Sequence, residues 1–191
     1  MNTFAYLHNE YLNMKKLVQL FLFLGIIGSV AVAQDNKTTV KWYTFEEAVA
    51  LNQQNPKKIL IDVYTDWCGW CKTMDKNTFS NPSIAKYLNE NFYPVKFNAE
   101  STKPVSFKGQ EFKNRNQGNR SPHDLAIALL SGKMSYPSIA YLDGENNLIT
   151  AVAGYSTPSQ IEPILVYIVE EHYTKTPWDT FIKNFKGKIK E

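Results

Sequence analysis

The chain has two cysteines, and both lie in one short segment, YTDWCGWCK, which spans residues 64–72. Cys68 and Cys71 are three residues apart, so their side chains can meet within one turn of a helix. Two thiols at this spacing are compatible with three kinds of chemistry. They could ligate a metal ion, form a structural disulfide or act as a redox-active pair.

The rest of the sequence favours redox chemistry. A structural zinc site needs four ligands, and the remaining histidines after residue 33, His123 and His172, lie far from the cysteines without zinc-finger spacing. A disulfide between residues three apart closes a very short loop, so it restricts the unfolded chain little and is a weak crosslink. A cysteine at a helix start faces unpaired backbone N–H groups, which favour the thiolate of Cys68, and Cys71 can then resolve a mixed disulfide.

The elements around the cysteines predict an α/β fold. An apolar run over residues 59–63 is typical of a strand that is buried on both faces. Before it, Thr44 and Glu47 form a capping box that predicts a helix over residues 45–54. After the cysteines, the patterns predict a helix through residue 79, a helix from Pro82 and a strand over 92–100. A weakly structured polar stretch over 101–120 and a helix over 121–132 follow. The rest of the domain is predicted to contain two strands joined at Asp143-Gly144, a helix from Pro158 and a last short helix.

Composition and charge are those of a globular protein with one main domain. The chain has 191 residues, of which 43% are apolar and 20% charged, and its net charge is +3. The basic residues are scattered rather than clustered, which argues against a nucleic-acid partner. We divide the chain into an N-terminal extension and signal (1–33), the main domain (34–175), and a C-terminal helix with a basic tail (176–191).

The N-terminal region has the three parts of a secretory signal peptide. A basic start at Met14-Lys15-Lys16 precedes an apolar run over residues 17–32, which ends in the small residues Ala31-Val32-Ala33. We therefore expect a periplasmic or secreted protein that is cleaved after Ala33. Translation is expected to begin at Met14, because the residues before it add no basic charge to this signal. The alternative is an uncleaved membrane anchor, since the run is close to the shortest length that spans a bilayer.

The segment ILIDVYTDWCGWCK, over residues 59–72, resembles the strand, active-site turn and helix of the thioredoxin family, and the resemblance extends from Val40 to Tyr173. Residues 67–100 are similar to a subgroup of exported thioredoxin-like proteins, which includes the C-terminal domain of the bacterial transmembrane thiol-reductant carrier. Its members share a CxxCK-x-M/F segment followed by TFS-x-P. The resemblance implies a thioredoxin fold, with a central mixed sheet and flanking helices.

The resemblance also implies roles for residues outside the cysteine segment. Asp62 corresponds to the buried acid that helps to move a proton at the resolving cysteine, and Lys96 to the lysine beside that acid. Tyr136-Pro137 corresponds to the cis-proline pair that contacts the disulfide and the substrate backbone, and Gly154 to the glycine of the following strand. Independently, Asp62 interrupts an apolar run, where burial would raise its pKa and make it a proton carrier. The plainer alternatives are that Asp62 is a strand-end carboxylate, that Lys96 faces solvent and that Pro137 is an ordinary trans proline.

Residues around the cysteines are expected to bind substrate. Trp67, Gly69 and Trp70 flank the reactive turn and are expected to form an apolar rim together with the tyrosine and proline of the cis-proline pair. The alternative is that both tryptophans belong to the core. His123 is expected to start a helix rather than to take part in catalysis.

The chain departs from thioredoxin in two places. Trp70 replaces the proline of the CGPC motif, which leaves the reduction potential open. The segment between Lys96 and Pro137 is longer than in thioredoxin, and we expect it to contain an extra helix near the site.

Together these observations predict an exported thiol–disulfide oxidoreductase that reduces protein disulfides, because the motif lacks the histidine found between the cysteines of many oxidants. Cys68 is expected to be the exposed thiol that attacks, and Cys71 the shielded one that resolves. No cofactor is expected beyond the two cysteines, and no metal. The expected partners are protein thiols and disulfides and a membrane thiol-reductant donor, and the protein is expected to be a monomer. The alternatives are a disulfide oxidase or isomerase, or a thioredoxin-like module that binds clients without turnover.

Overall fold

The fold is organised around a mixed β-sheet in which the strand before the cysteines is central. The computed structural model describes residues 38–189 of the chain. This part of the chain contains six strands: β1 (Lys58–Tyr64), β2 (Phe92–Asn98), β3 (Val105–Phe107), β4 (Gln110–Phe112), β5 (Ser138–Leu142) and β6 (Leu148–Ala153).

Four strands form the main sheet in the order β2-β1-β5-β6, and β3 pairs with β4 in a sheet of its own. Strand β1 is parallel to β2 and antiparallel to β5, and β5 is antiparallel to β6. Residues 59–63 of β1 are at most 1% exposed, so the predicted burial on both faces is confirmed. The predicted α/β class with a mixed sheet and a final antiparallel hairpin is also confirmed.

Helices cover both faces of the main sheet. Within residues 38–189 there are six α-helices: α1 (Phe45–Gln54), α2 (Gly69–Met74), α3 (Pro82–Asn91), α4 (Asp124–Leu129), α5 (Pro158–Val169) and α6 (Trp178–Asn184). Phe45 of α1 belongs to one buried apolar cluster with Val63 of β1, and Leu165 of α5 belongs to a second cluster with Leu60 of β1. Successive side chains of a strand point to opposite faces, so the two clusters form layers on either side of the sheet.

The helix starts predicted from the sequence are present with their caps. At α1, the Glu47 N–H donates to Thr44 Oγ1 at 3.2 Å, and the Thr44 N–H donates to Glu47 Oε2 at 2.8 Å. At α3, the Ser83 N–H donates to Asn81 Oδ1 at 3.0 Å. These bonds satisfy N–H groups that a helix start otherwise leaves unpaired, which explains why the sequence located the starts correctly.

The helix that carries Cys71 changes its winding after one turn. It is α-helical to Met74 and then forms a π-helical turn over Asp75–Phe79. The sequence predicted a helix through residue 79, and that extent is confirmed. Its wider second half has no signature in the sequence, and π-helical turns inside helices are frequent at functional sites.

The segment between Lys96 and Pro137 differs from the prediction. In place of a weakly structured stretch, the described residues contain the β3–β4 hairpin. The helix predicted over residues 121–132 is confirmed as α4, but the described residues contain no extra helix in this segment. The hairpin turns at Lys108-Gly109, where both residues have positive φ, as a type I′ turn requires. Its apolar side chains pack against the core cluster that contains Phe45, and burial of these few side chains stabilises the hairpin despite its polar composition.

The C-terminal segment folds back on α5. Tyr167 of α5 contacts the rings of Trp178 and Phe181 in α6 at centroid distances of 5.2 and 5.0 Å. The predicted short last helix is therefore confirmed. The predictions of the signal peptide, its cleavage site and the start at Met14 fall outside the described residues. Between residues 38 and 189, no helix is long and apolar enough to cross a membrane.

Candidate active site

Cys68 and Cys71 form a disulfide at the junction between β1 and α2, with their Cα atoms 5.3 Å apart. Cys68 is the N-cap residue of α2, and the backbone N–H of Cys71 donates a hydrogen bond to its Sγ at 3.0 Å. An N–H directed at this sulfur stabilises the thiolate once the disulfide is reduced. The cap position predicted for Cys68 is confirmed.

The two cysteines do not differ in exposure in this disulfide state. Each residue is 3% exposed, so the expected contrast between an open Cys68 and a shielded Cys71 is not found. The reason is that the S–S bond holds the Cys68 sulfur over the first turn of α2, next to Cys71. Which thiol attacks first stays a prediction.

Asp62 is buried in β1, six residues before Cys68. Its Oδ2 accepts a hydrogen bond from Lys96 Nζ at 2.6 Å, and Oδ1 has no hydrogen-bond partner in the described part of the chain. Burial raises the pKa of Asp62 to about 6, although the positive charge of Lys96 opposes the rise. The predicted burial and the predicted neighbour are confirmed. A carboxylate with one free buried oxygen can accept a proton, and this role in resolution stays a prediction.

Lys96 connects Asp62 to a second carboxylate that the sequence analysis missed. Its ammonium group also donates to Oδ1 of Asp75, the first residue of the π-helical turn. Burial lowers the pKa of Lys96, but the two carboxylates outweigh burial and hold this pKa above its ordinary value. The position of Asp75, one helical turn after Cys71, was the available signal. The ammonium group lies 5.2, 4.9 and 5.7 Å from the ring centroids of Trp42, Tyr64 and Phe79.

The Tyr136-Pro137 peptide bond is cis, as the family resemblance implied. The N–H of Gly154 in the loop after β6 donates to the Pro137 carbonyl at 2.8 Å, and Gly154 has a φ of 99°, which favours glycine. The Tyr136 ring meets the Trp67 ring edge to face, with centroids 5.9 Å apart. The structure therefore brings the cis-proline loop to the cysteine turn, while its contact with substrate stays a prediction.

Two exposed tryptophans flank the disulfide. Trp67 is 49% exposed and Trp70 is 62% exposed, so the alternative that they belong to the core is wrong. The Trp67 indole N–H donates to Glu100 Oε1 at 2.9 Å, and the Trp70 ring lies 5.5 Å from the Tyr155 ring. Gly69, the first residue of α2, has open space around it and no contact that requires glycine. Substrate binding by this rim stays a prediction.

His123 has a structural role. It is fully buried and caps α4, because its Nδ1 accepts the Leu125 N–H at 3.1 Å while Nε2 donates to the Lys103 carbonyl at 3.0 Å. The predicted role at a helix start is confirmed. Within residues 38–189, no three His, Cys, Asp or Glu side chains are grouped so that they could hold a metal ion.

A family model described as Thioredox_DsbH, a protein of unknown function, DUF255, matches residues 25–159. Uncharacterized protein B0495.5 of Caenorhabditis elegans is 34% identical over 83 residues, which cover 43% of this chain and 11% of that protein. The thiol:disulfide interchange protein DsbD of Escherichia coli strain K12 is 33% identical over 89 residues, covering 38% of this chain and 15% of that protein. The chain thus spans only 11% to 15% of the length of these relatives.

A solved structure of a thioredoxin-fold protein from Helicobacter pylori supports the fold. It matches with a TM-score of 0.50 and 22% identity over 68% of this chain and 80% of that chain. The mixed sheet, the disulfide-bonded CxxC pair at a helix start and the cis-proline beside it are consistent with that fold. At a general level, this arrangement supports thiol–disulfide redox chemistry. Because the family model matches well over half of the chain, the chain belongs to the thioredoxin-like Thioredox_DsbH family.

Proposed function

We propose that this protein is an exported thiol–disulfide oxidoreductase that reduces disulfides in other proteins. The observation that carries the proposal is the Cys68–Cys71 disulfide at a helix start. The buried Asp62 lies six residues earlier, and one of its oxygens has no hydrogen-bond partner among residues 38–189. The similarity to a thiol:disulfide interchange protein supports the same class of chemistry here.

In the proposed cycle, the Cys68 thiolate attacks one sulfur of a substrate disulfide. The substrate S–S bond breaks, a bond between Cys68 and the substrate forms, and the second substrate sulfur leaves as a thiolate that takes a proton from solvent. Cys71 then gives its proton to Asp62 Oδ1 and attacks Cys68 Sγ. The bond between Cys68 and the substrate breaks as the Cys68–Cys71 disulfide forms, and the first substrate sulfur leaves as a thiolate that is also protonated. The substrate has gained the two electrons that the two cysteines have lost.

The environment of Asp62 suits this proton transfer. A general base works best when its pKa lies near the operating pH, and burial raises the pKa of Asp62 to about 6. Lys96 keeps the carboxylate oriented through Oδ2, which leaves Oδ1 to take the proton. We assign Lys96 to positioning and Asp62 to catalysis.

The direction of the reaction rests on the residues between the cysteines. Gly69 and Trp70 occupy that position, with no histidine to favour the thiolate further. We therefore propose reduction, with electrons from a membrane-embedded thiol-reductant donor and no cofactor besides the two cysteines. Equilibration of the protein with glutathione or dithiothreitol buffers measures the potential of the couple. A value near the ~ −270 mV of thioredoxin supports a reductase, and a value near ~ −120 mV indicates an oxidase.

Export rests on residues 14–33, which carry a basic start, an apolar run and a small-residue ending. We propose that the mature protein begins at Gln34 and acts in the periplasm or outside the cell. The intact mass of the protein recovered from that compartment tests this proposal. Retention of residues 14–33 would show a membrane anchor instead.

The exchange mechanism is tested by trapping partners with single cysteine variants. Cys71→Ser should attack and then stall, so that mixed disulfides with client proteins accumulate and dithiothreitol releases them. Cys68→Ser should trap nothing. Trapping by the Cys68→Ser variant instead would reverse the assigned roles. If the wild-type protein also fails to accelerate insulin reduction by dithiothreitol, the chain is a binding module rather than an enzyme.

A further inference from the structure

Trp67, the residue before the attacking cysteine, is held from three directions. Its indole N–H is bound to Glu100, and its edge meets the Tyr136 ring beside the cis-proline. On its face lies the guanidinium group of Arg120, 4.4 Å from the ring centroid. The ring is nevertheless 49% exposed, so it forms a fixed aromatic surface next to the disulfide.

Arg120 is a cation that makes no ion pair within the described part of the chain. The other arginine of the chain, Arg115, pairs with Asp124 at 3.0 Å. The acidic residues near Trp67 already hold hydrogen bonds, since Asp66 accepts one from Asn98 and Glu100 accepts one from Trp67. Arg120 is itself exposed, so its N–H donors are open to solvent beside Trp67.

The turn that carries Arg120 is fixed to the domain. Arg120 has a φ of 62°, in the left-handed region. The following residue, Ser121, accepts a hydrogen bond from Asn114 Nδ2 through its carbonyl at 2.6 Å, and Asn114 Nδ2 also donates to the Glu100 carbonyl. Two residues further, the N–H of the buried His123 donates to the Ala99 carbonyl at 2.7 Å. These bonds tie the turn to the residues that follow β2, so the backbone that carries Arg120 is fixed next to Trp67.

We propose that Arg120 is a specificity-determining residue that selects protein disulfides with an Asp or Glu side chain next to the attacked cysteine. The inference rests on the proposed function and names its preferred substrate. Trp67 adjoins Cys68 in the chain, so a peptide whose cysteine bonds to Cys68 must lie against the exposed surface formed by Trp67 and Arg120. The residue before that cysteine then comes within reach of Arg120. A guanidinium group has five N–H donors, so one that contacts an aromatic ring can still bind a carboxylate at two points.

The test measures the first attack alone. The full-length protein is used with Cys71→Ser, so that Cys68 is the one thiol, and it is mixed with short peptides whose cysteine carries a 2-thiopyridyl group. Cys68 attacks the peptide sulfur, the bond to the leaving group breaks, and the released 2-thiopyridone is followed by stopped-flow absorbance. The three peptides differ only in the residue before cysteine, which is Asp, Asn or Lys.

The matched variant is Arg120→Met, which keeps an unbranched side chain over Trp67 but removes the charge. It should slow the Asp peptide about fivefold, as expected for an exposed ion pair, and leave the Asn peptide unchanged. The Lys peptide should react slightly faster. Arg115→Met removes the same charge away from Trp67 and should change none of the three rates.

Other outcomes overturn the inference. Equal slowing of all three peptides would mean that Arg120 acts on the Cys68 thiolate and not on the substrate. Equal effects of Arg120→Met and Arg115→Met would mean that the rates depend only on the net charge of the protein. Unchanged rates with Arg120→Met would mean that Arg120 does not recognise the substrate. If Arg120→Met slowed the reaction with oxidised glutathione but not with the peptides, the preference of Arg120 would be for a small acidic disulfide. If no disulfide reacts with any variant, the proposed function itself fails.

Discussion

Two buried carboxylates lie in different regions of the molecule and are bound in different ways. Asp62 in β1, at the redox site, is 1% exposed, and Glu162 in α5, near the C-terminal segment, is 8% exposed. Asp62 is paired with the Lys96 side chain and has one oxygen without a partner in the described structure. Both oxygens of Glu162 are occupied, because the N–H groups of Lys188 and Ile189 donate to them at 2.8 to 3.1 Å.

The comparison separates the proposed proton carrier from an anchor. A carboxylate whose oxygens all accept hydrogen bonds from the backbone fixes a chain segment in place. Glu162 does this for the C-terminal segment, which passes so close that a Cβ on Gly187 would lie 2.9 Å from Oε2. A buried carboxylate with a free oxygen instead has room for a proton. Hydrogen-bond partners thus make the carboxylate an anchor at Glu162 and leave it open to the proposed proton transfer at Asp62.

The largest expected effect is the pH dependence of stability that Asp62 causes. Burial raises its pKa from an ordinary 3.8 to about 6, so between these values the folded protein binds more protons than the unfolded chain. Stability attributable to this group is therefore greatest below pH 3.8 and falls as the pH rises to about 6, by about 3 kcal/mol in total. Asp62→Asn should remove this fall, so the stability of the variant relative to the wild type should be higher at pH 7 than at pH 4.

Denaturant unfolding at pH 4 and pH 7 measures this difference for the wild type and the variant. If Asp62→Asn loses as much stability as the wild type between the two pH values, the carboxyl does not titrate in this range. Ionisation of Asp62 would then not change the stability, and Asp62 and Glu162 would differ only in their hydrogen-bond partners.

The next largest effect concerns the chemical step. Asp62→Asn should slow resolution, and therefore release of substrate, about a hundredfold, because an amide cannot accept the Cys71 proton. The first attack by Cys68 should change much less. Rapid-mixing kinetics that resolve formation and decay of the mixed disulfide provide the measurement, with Glu162→Gln as the matched control. Equal slowing of both steps, or slowing by the control, would contradict the assignment.

The third prediction addresses the anchor. Glu162→Ala leaves the N–H groups of Lys188 and Ile189 without their acceptor, so the free energy of unfolding should fall by about 1–3 kcal/mol. Hydrogen exchange of these two amides should increase, while the rate of disulfide exchange at Cys68 stays at its wild-type value. Unchanged exchange of both amides would show that Glu162 does not hold the segment.

The smallest effect is expected from an ion pair whose acidic partner is exposed. Lys58 Nζ lies 2.7 Å from Glu171 Oε1, and the side chains of Lys58 and Glu171 are 13% and 57% exposed. Exposed ion pairs often contribute nothing measurable, since solvent screens them and ordering two long side chains costs entropy. Lys58→Met should therefore leave the denaturation midpoint unchanged. A clear loss of stability would mean that ion pairs outside the redox site also stabilise the fold. The comparison of Asp62 with Glu162 would then not account for the main electrostatic contributions.

Local sequence signals predicted most of the framework. The capping box at Thr44, the apolar run in β1, the turn at Asp143-Gly144 and the proline at the start of α5 all act within a few residues, so the sequence places these elements by itself. The spacing of Cys68 and Cys71 belongs to the same class, because it is set within one helical turn.

The β3–β4 hairpin shows where local signals fail. Its residues are mostly polar, and a segment of this composition resembles a loop in the sequence. What stabilises the hairpin is the contact of its few apolar side chains, such as Phe107 against Phe45 at a centroid distance of 5.0 Å, with a core cluster built from distant segments. The extra helix that we expected there required a periodicity that the segment lacks.

The sequence by itself determined the reactive pair, the α/β order and, through the family resemblance, the burial of Asp62 beside Lys96. Only the tertiary structure decided which groups surround them. Asp75 on Lys96 and Arg120 on Trp67 join positions 21 and 53 residues apart in the chain. Glu162 reaches Lys188 and Ile189 across 26 and 27 residues. The spacing of Asp75 from Cys71 is local, but no local pattern encodes its pairing with Lys96 or the other two contacts, because these exist only after the sheet and its helices have brought distant segments together.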